Sequence, residues 1–126
     1  MLSYDQVCTM DLLDVVKDMN HEFCIEIPTQ IDSLEEMSSA GSMLGDLTNE
    51  YTYMVALLAM MKATVRIAKR KLPKEQYEDL VGKRDAVSDI VDLLKQQYQA
   101  ISRMITVKQE INQELYMTSG KGTYPK

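Results

Sequence analysis

The sequence has few of the residues that build turns, β-sandwiches or aromatic cores. Its 126 residues include no Trp, one Phe, five Gly and three Pro. So few turn formers and so little aromatic bulk disfavour a β-sandwich and favour helices. The length accommodates one domain with one hydrophobic core. We therefore predict an all-α protein.

Further absences bear on location. No apolar run approaches the ~20 residues that span a bilayer, so we expect no membrane insertion. Asp5 stands where a signal peptide carries Lys or Arg, which predicts that the chain is not secreted and stays in the cytoplasm. In that compartment Cys8 and Cys24 are expected to be reduced thiols.

The residue patterns that support catalysis are scarce. The single histidine, His21, stands three residues from Cys24, which falls short of the four ligands of a structural zinc site. Asp85, Asp89 and Asp92 have the spacing of an exposed helical face, and the Glu-x-x-His pair of di-iron bundles is absent. We predict no enzymatic activity, no metal and no cofactor.

A seven-residue apolar repeat dominates the middle of the chain. One set consists of Leu44, Tyr51, Leu58, Val65 and Leu72, and a second of Leu47, Met54, Met61 and Ala68. Such a seam keeps one stripe of a helix against a partner helix. A further seam consists of Val87, Val91, Leu94, Tyr98, Ile101 and Ile105. Because Leu72-Pro73 separates the two, we predict a long antiparallel helical hairpin of Leu44–Lys71 and Lys74–Met117.

The first third of the chain predicts smaller elements. Ser3 and Gln6 form a capping-box pattern that begins a helix over 3–20. Residues 22–31 alternate apolar and polar side chains, which indicates an extended segment or a short strand. A short helix over 33–39 follows, and small residues at 38–42 predict a hinge. We thus divide the chain into one helical domain, 1–117, and a flexible polar tail, 118–126.

Apolar residues of the first long helix also lie outside its seam. A two-helix hairpin would leave them exposed, and an exposed apolar face commonly serves an interface. We predict a homo-oligomer in which Val55, Met60 and Ile67 form the protein interface.

Charge is unevenly distributed along the chain. Residues 1–61 hold eleven acids and one base, whereas residues 62–74 hold six bases and no acid. We call these six residues the basic strip: Lys62, Arg66, Lys69, Arg70, Lys71 and Lys74. Complementation of the helix dipole explains the cations of the last turn, but Lys62 and Arg66 lie farther back. The second interpretation is a phosphate-binding surface for nucleic acid, on which Tyr77 or Tyr98 stacks bases.

Three features together resemble the UvsY-type recombination mediators of tailed phages. They are an apolar and acidic lead-in at 23–27 before the stretch at 31–36, a long helix that ends in Lys62, Arg66, Lys69 and Arg70, and a last helix through 93–103 with apolar residues continuing to Leu115. The resemblance covers residues 23–115 and rests on helical pattern. It implies a small oligomeric protein of a phage-infected host cytoplasm, with single-stranded DNA and a recombinase as partners. The alternative is a phage-type helical adaptor, inhibitor or assembly protein that acts through protein contacts alone.

Overall fold

A computed structural model describes the backbone of residues 1–123 and the side chains of residues 1–115. Its four helices are α1 (Tyr4–Thr9), α2 (Leu12–Phe23), α3 (Leu34–Lys71) and α4 (Lys74–Thr123). The two long helices, α3 and α4, pack against each other as a hairpin, and α1 and α2 lie along it. Within residues 1–123 there is no β-strand. The predicted all-α hairpin is confirmed.

The buried stripe of each long helix follows a strict seven-residue repeat. On α3 it consists of Ala40, Leu47, Met54, Met61 and Ala68, and on α4 of Leu80, Val87, Leu94 and Ile101. On α3 this stripe is the second predicted set. In the first set, Leu58 and Val65 are buried but Tyr51 and Leu72 are exposed. Since α1 contacts both α3 and α4, burial on α3 extends toward α1 and the second set lies deepest.

Two polar residues of α4 are buried in a second row with the same seven-residue spacing, one on either side of Ile90. Lys83 and Gln97 are 2% and 7% exposed. The Lys83 ammonium donates to the Cys8 carbonyl at 3.2 Å, and the Gln97 amide donates to the Phe23 carbonyl at 3.0 Å. These carbonyls belong to the last turns of α1 and α2, where the helix supplies no N–H donors of its own for its carbonyl oxygens. The two side chains therefore fasten both short helices to α4.

Close packing also joins α2 to α4 at Gly82. A Cβ atom there would lie 2.7 Å from Leu12 Cδ2, closer than side-chain packing allows. Gly82 remains helical and admits the side chain of Leu12. On the other side, Tyr53 of α3 donates a hydrogen bond to the Leu2 carbonyl at 2.7 Å. The N-terminal segment is held by both long helices.

The N-terminal predictions need three corrections. The single helix over 3–20 is two helices that part at Met10 and Asp11, although the Ser3–Gln6 capping box is present. The predicted hinge at 38–42 is wrong, because α3 runs unbroken from its N-cap Ser33, so the predicted short helix at 33–39 and the long helix from Leu44 are one helix. Ala40 within that stretch is buried, so tertiary packing compensates for the weak helix formers around it. The extended segment predicted at 22–31 begins later, since residues 22 and 23 belong to α2, and residues 24–33 form neither helix nor strand.

The last helix continues past its predicted end. Helix α4 runs to Thr123, six residues beyond Met117. The part of the predicted polar tail at 124–126 lies outside the described residues.

Candidate nucleic-acid interface

All six residues of the basic strip are exposed. Lys69, Arg70 and Lys71 occupy the last turn of α3, and Lys62 and Arg66 precede it on the same helix. Lys74 begins α4 just beyond the connection. The strip therefore gathers at the closed end of the hairpin, and the dipole of α3 accounts for only its last turn.

Part of the strip surrounds a shallow depression. Arg66, Arg70 and Lys71 line it together with the apolar side chain of Ile67. The arrangement follows from helix geometry, since residues three and four apart share a face. Three cations around an apolar floor suit a ligand with both phosphate and apolar surface.

The positive charges of the basic strip have few acidic partners. Lys74 lies 3.9 Å from Glu78, and both side chains are largely exposed, so this pair is weak. Within the portion whose side chains are described, no other member of the strip has an acidic partner within 4.0 Å. Five of the six cations remain available to an anionic ligand.

Acidic side chains concentrate on a different surface. Asp11, Asp14 and Asp18 are exposed on α2, and Asp85 and Asp89 line the depression between α2 and α4. The protein has a net charge of −5, but it carries two separate surfaces of opposite charge. An acidic protein of this kind can still offer one local anion-binding region.

A third acidic location lies on α3. Burial raises the pKa of the Glu50 carboxyl above its ordinary value, and the nearby carboxylates Asp46 and Glu22 raise it further. Glu22 belongs to α2, so its carboxylate repels the Glu50 carboxylate from a different helix.

The three predicted interface residues do not form one stripe. Val55, Met60 and Ile67 are exposed by 39%, 48% and 57%. Met60 and Ile67 are seven residues apart and share a face, and Tyr53 continues that row one heptad earlier, 37% exposed. Val55 stands five residues from Met60, about 140° around the helix, so it belongs to another flank.

The structure separates the two tyrosines predicted to stack on bases. Tyr77 is half-buried one turn after Lys74 and packs on the core. Tyr98 is 40% exposed and lies about 36 Å farther along α4 than Lys74, at ~1.5 Å per residue. Tyr98 instead lines a groove with Thr48, Tyr51, Lys95 and Gln99. Sequence reasoning missed this groove, because it placed Tyr51 and Tyr98 in the seam.

Nothing in the described part of the chain resembles a metal centre. No group of three or more His, Cys, Asp or Glu side chains is placed to hold an ion. Cys8 and Cys24 are free thiols, Cys24 at the surface. Among residues 1–123 no helix combines the length and apolar character that crossing a bilayer requires.

No family model matches the sequence, and no curated protein or solved structure matches it significantly. The functional proposal therefore rests on the surfaces described above.

Proposed function

We propose that this protein is a non-enzymatic, oligomeric accessory factor that binds single-stranded DNA through its basic strip. In the manner of a recombination mediator, it would present that DNA to a recombinase. The observation that carries the proposal is the depression in which Arg66, Arg70 and Lys71 surround Ile67. Cations bind phosphates, and an apolar floor accepts the sugar or base that a single strand exposes.

The size of the strip favours a single strand over a duplex. From Lys62 to Lys71 it spans about 14 Å of α3, enough for a few phosphates. A flexible strand can bend into a depression of that length. A rigid duplex would extend past it, and residues 34–61 of α3 contribute no cation to hold the further phosphates.

A direct titration tests this proposal. Anisotropy of a fluorescent oligothymidylate should rise when the wild-type protein is added at low salt, where binding through phosphates is strongest. A duplex of equal length should bind more weakly. No binding of the single strand at low salt would refute the nucleic-acid proposal.

A second candidate is a helical adaptor or assembly protein that acts through protein contacts alone. The row of Tyr53, Met60 and Ile67 favours it, because three large side chains remain exposed at heptad spacing on α3. In this candidate a second copy of the chain covers that row, including Ile67, and Ile67 is then not available to DNA. Retention of self-association by a protein that fails to bind DNA would favour this candidate.

A further inference from the structure

The two faces of the α3–α4 hairpin differ. One face is covered by α1 and α2, which contact Gly82, Lys83 and Gln97 on α4. The opposite face is open, and the groove of Thr48, Tyr51, Lys95, Tyr98 and Gln99 lies there between the two long helices. Its cavity volume is about 370 Å³.

Aromatic side chains in this groove are unusually accessible for their positions. Tyr51 and Tyr98 both occupy places in the apolar repeat, yet they are 36% and 40% exposed. Their rings therefore offer surface that the fold does not bury. Each of the four bases has a flat π-face that can stack on such a ring.

The groove continues one part of the basic strip. Along α3, residues spaced by three, four or seven share one flank, and this flank carries Thr48, Tyr51, Val55, Lys62, Arg66 and Lys69. It contains no acid. Ile67 and Lys71 of the depression lie on the other flank, with Tyr53 and Met60. From Tyr51 to Arg66 the distance along the helix is about 22 Å. A single extended ligand could contact both regions.

The facing flank of α4 carries both bases and acids. With the same spacing it includes Lys74, Arg84 and Lys95, and also Glu78, Asp85 and Asp92. Arg84 is held by Asp85 at 3.1 Å, and the exposed Asp92 lies one turn before Lys95. Lys95 remains the cation beside the two tyrosines, and it is exposed.

We propose that the open groove between α3 and α4 is a base-stacking subsite for single-stranded nucleic acid, in which Tyr51 and Tyr98 stack bases and Lys95 contacts a phosphate. The subsite rests on the proposed function, since it extends the strand already held by the basic strip. Phosphate contacts at the strip position the strand, and stacking in the groove adds affinity that depends on bases rather than on charge.

The test compares a normal oligothymidylate with an abasic oligonucleotide of equal length and charge. Both should have about 16 nucleotides, the upper end of the site sizes typical of single-strand-binding OB folds. The wild type should bind the normal strand at least about tenfold more tightly, since each of two stacked bases contributes about fivefold or more. Tyr51→Leu with Tyr98→Leu should remove this preference and leave the salt dependence unchanged.

The matched control is Tyr53→Leu. Tyr53 is as exposed as Tyr51, but it lies on the other flank of α3 and bonds to Leu2. The Tyr53→Leu variant should keep the preference for the normal strand over the abasic strand. Circular dichroism establishes that each variant retains its helix content.

The outcomes separate the subsite from the proposed function. Equal binding of normal and abasic strands by the wild type would overturn the subsite and leave the basic strip intact. A preference that survives the double tyrosine variant would also overturn it. Absence of binding to either strand would refute the proposed function itself.

Discussion

The ammonium of Lys83 lies 3.2 Å from the backbone carbonyl oxygen of Cys8, which joins the N-terminal part of α4 to the last turn of α1. The same ammonium lies 2.9 Å from a carboxylate oxygen of Asp79. Lys83 is almost fully buried, whereas the Asp79 side chain is 43% exposed. Asp79 thus neutralises a buried cation from the edge of the core.

Removing that carboxylate should destabilise the fold. Asp79→Asn leaves the buried Lys83 cation without its counter-charge, and we expect a loss of about 1–3 kcal/mol in the free energy of unfolding. Urea denaturation measures it. Lys83→Met added to Asp79→Asn should recover part of the loss, because no buried charge then remains. The exposed control Asp92→Asn should stay within about 0.5 kcal/mol of wild type. An Asp79→Asn protein as stable as that control would show that the pair contributes nothing.

The glycines near the start of α3 should be replaceable with a gain in stability. A Cβ atom at Gly41 or Gly45 would meet no atom within 4 Å. Gly41→Ala and Gly45→Ala should each therefore stabilise the helix by about 0.5–1 kcal/mol, the usual difference in helix propensity. Gly82→Ala should gain less, since its Cβ would press on Leu12. Lower melting temperatures for the first two variants would contradict a regular, open helical environment at these two positions.

Stability should depend on pH through Glu50. Its raised pKa means that the folded protein binds this proton more tightly than the unfolded chain. Stability therefore falls as pH rises from the ordinary carboxyl range through the raised pKa, and the penalty is complete above it. Glu50→Gln should raise the melting temperature at pH 7, and the gain should shrink as pH falls toward about 4. Glu35→Gln should give no gain, because the dipole of α3 favours an acid in its first turn. An equal gain for Glu50→Gln at both pH values would contradict this account.

Self-association should depend on the row of Tyr53, Met60 and Ile67. Met60→Glu with Ile67→Glu places two like charges on that row and should shift the protein toward smaller species in light scattering. Leu13→Glu with Leu34→Glu is the control, because both leucines are highly exposed elsewhere. It should leave the distribution unchanged. A wild-type protein that is monomeric at micromolar concentration would exclude the homo-oligomer.

The hairpin could be predicted from sequence because its signal is local. The seven-residue repeat and Leu72-Pro73 are enough to place two long helices and their connection. Which apolar set lies deepest could not be predicted, since it depends on where α1 and α2 dock. The burial of Lys83 and Gln97 was missed for the same reason. The sequence did contain one signal for their burial: Lys83 lies seven residues before the apolar Ile90, and Gln97 lies seven residues after it.

The candidate site was only partly predictable. A run of bases stands out in any sequence, so the basic strip was found. Val55 was grouped with Met60 because both are apolar and outside the seam, although they lie on different flanks of α3. The Tyr51–Tyr98 groove was missed because apolar periodicity does not reveal how far an aromatic ring in a seam projects into solvent.

The salt dependence of single-strand binding tests the central claim most directly. For a strand held by phosphate contacts, log K should fall with log salt by about 0.7 per neutralised phosphate. Arg66→Ala with Lys69→Ala should flatten that slope by about one to two units per engaged subunit and leave helix content unchanged. Lys17→Ala with Arg103→Ala removes the same two charge types outside the strip and should leave the slope as in wild type. Equal slopes for wild type and the Arg66/Lys69 variant, or flattening as large in the control, would contradict the assignment of the basic strip.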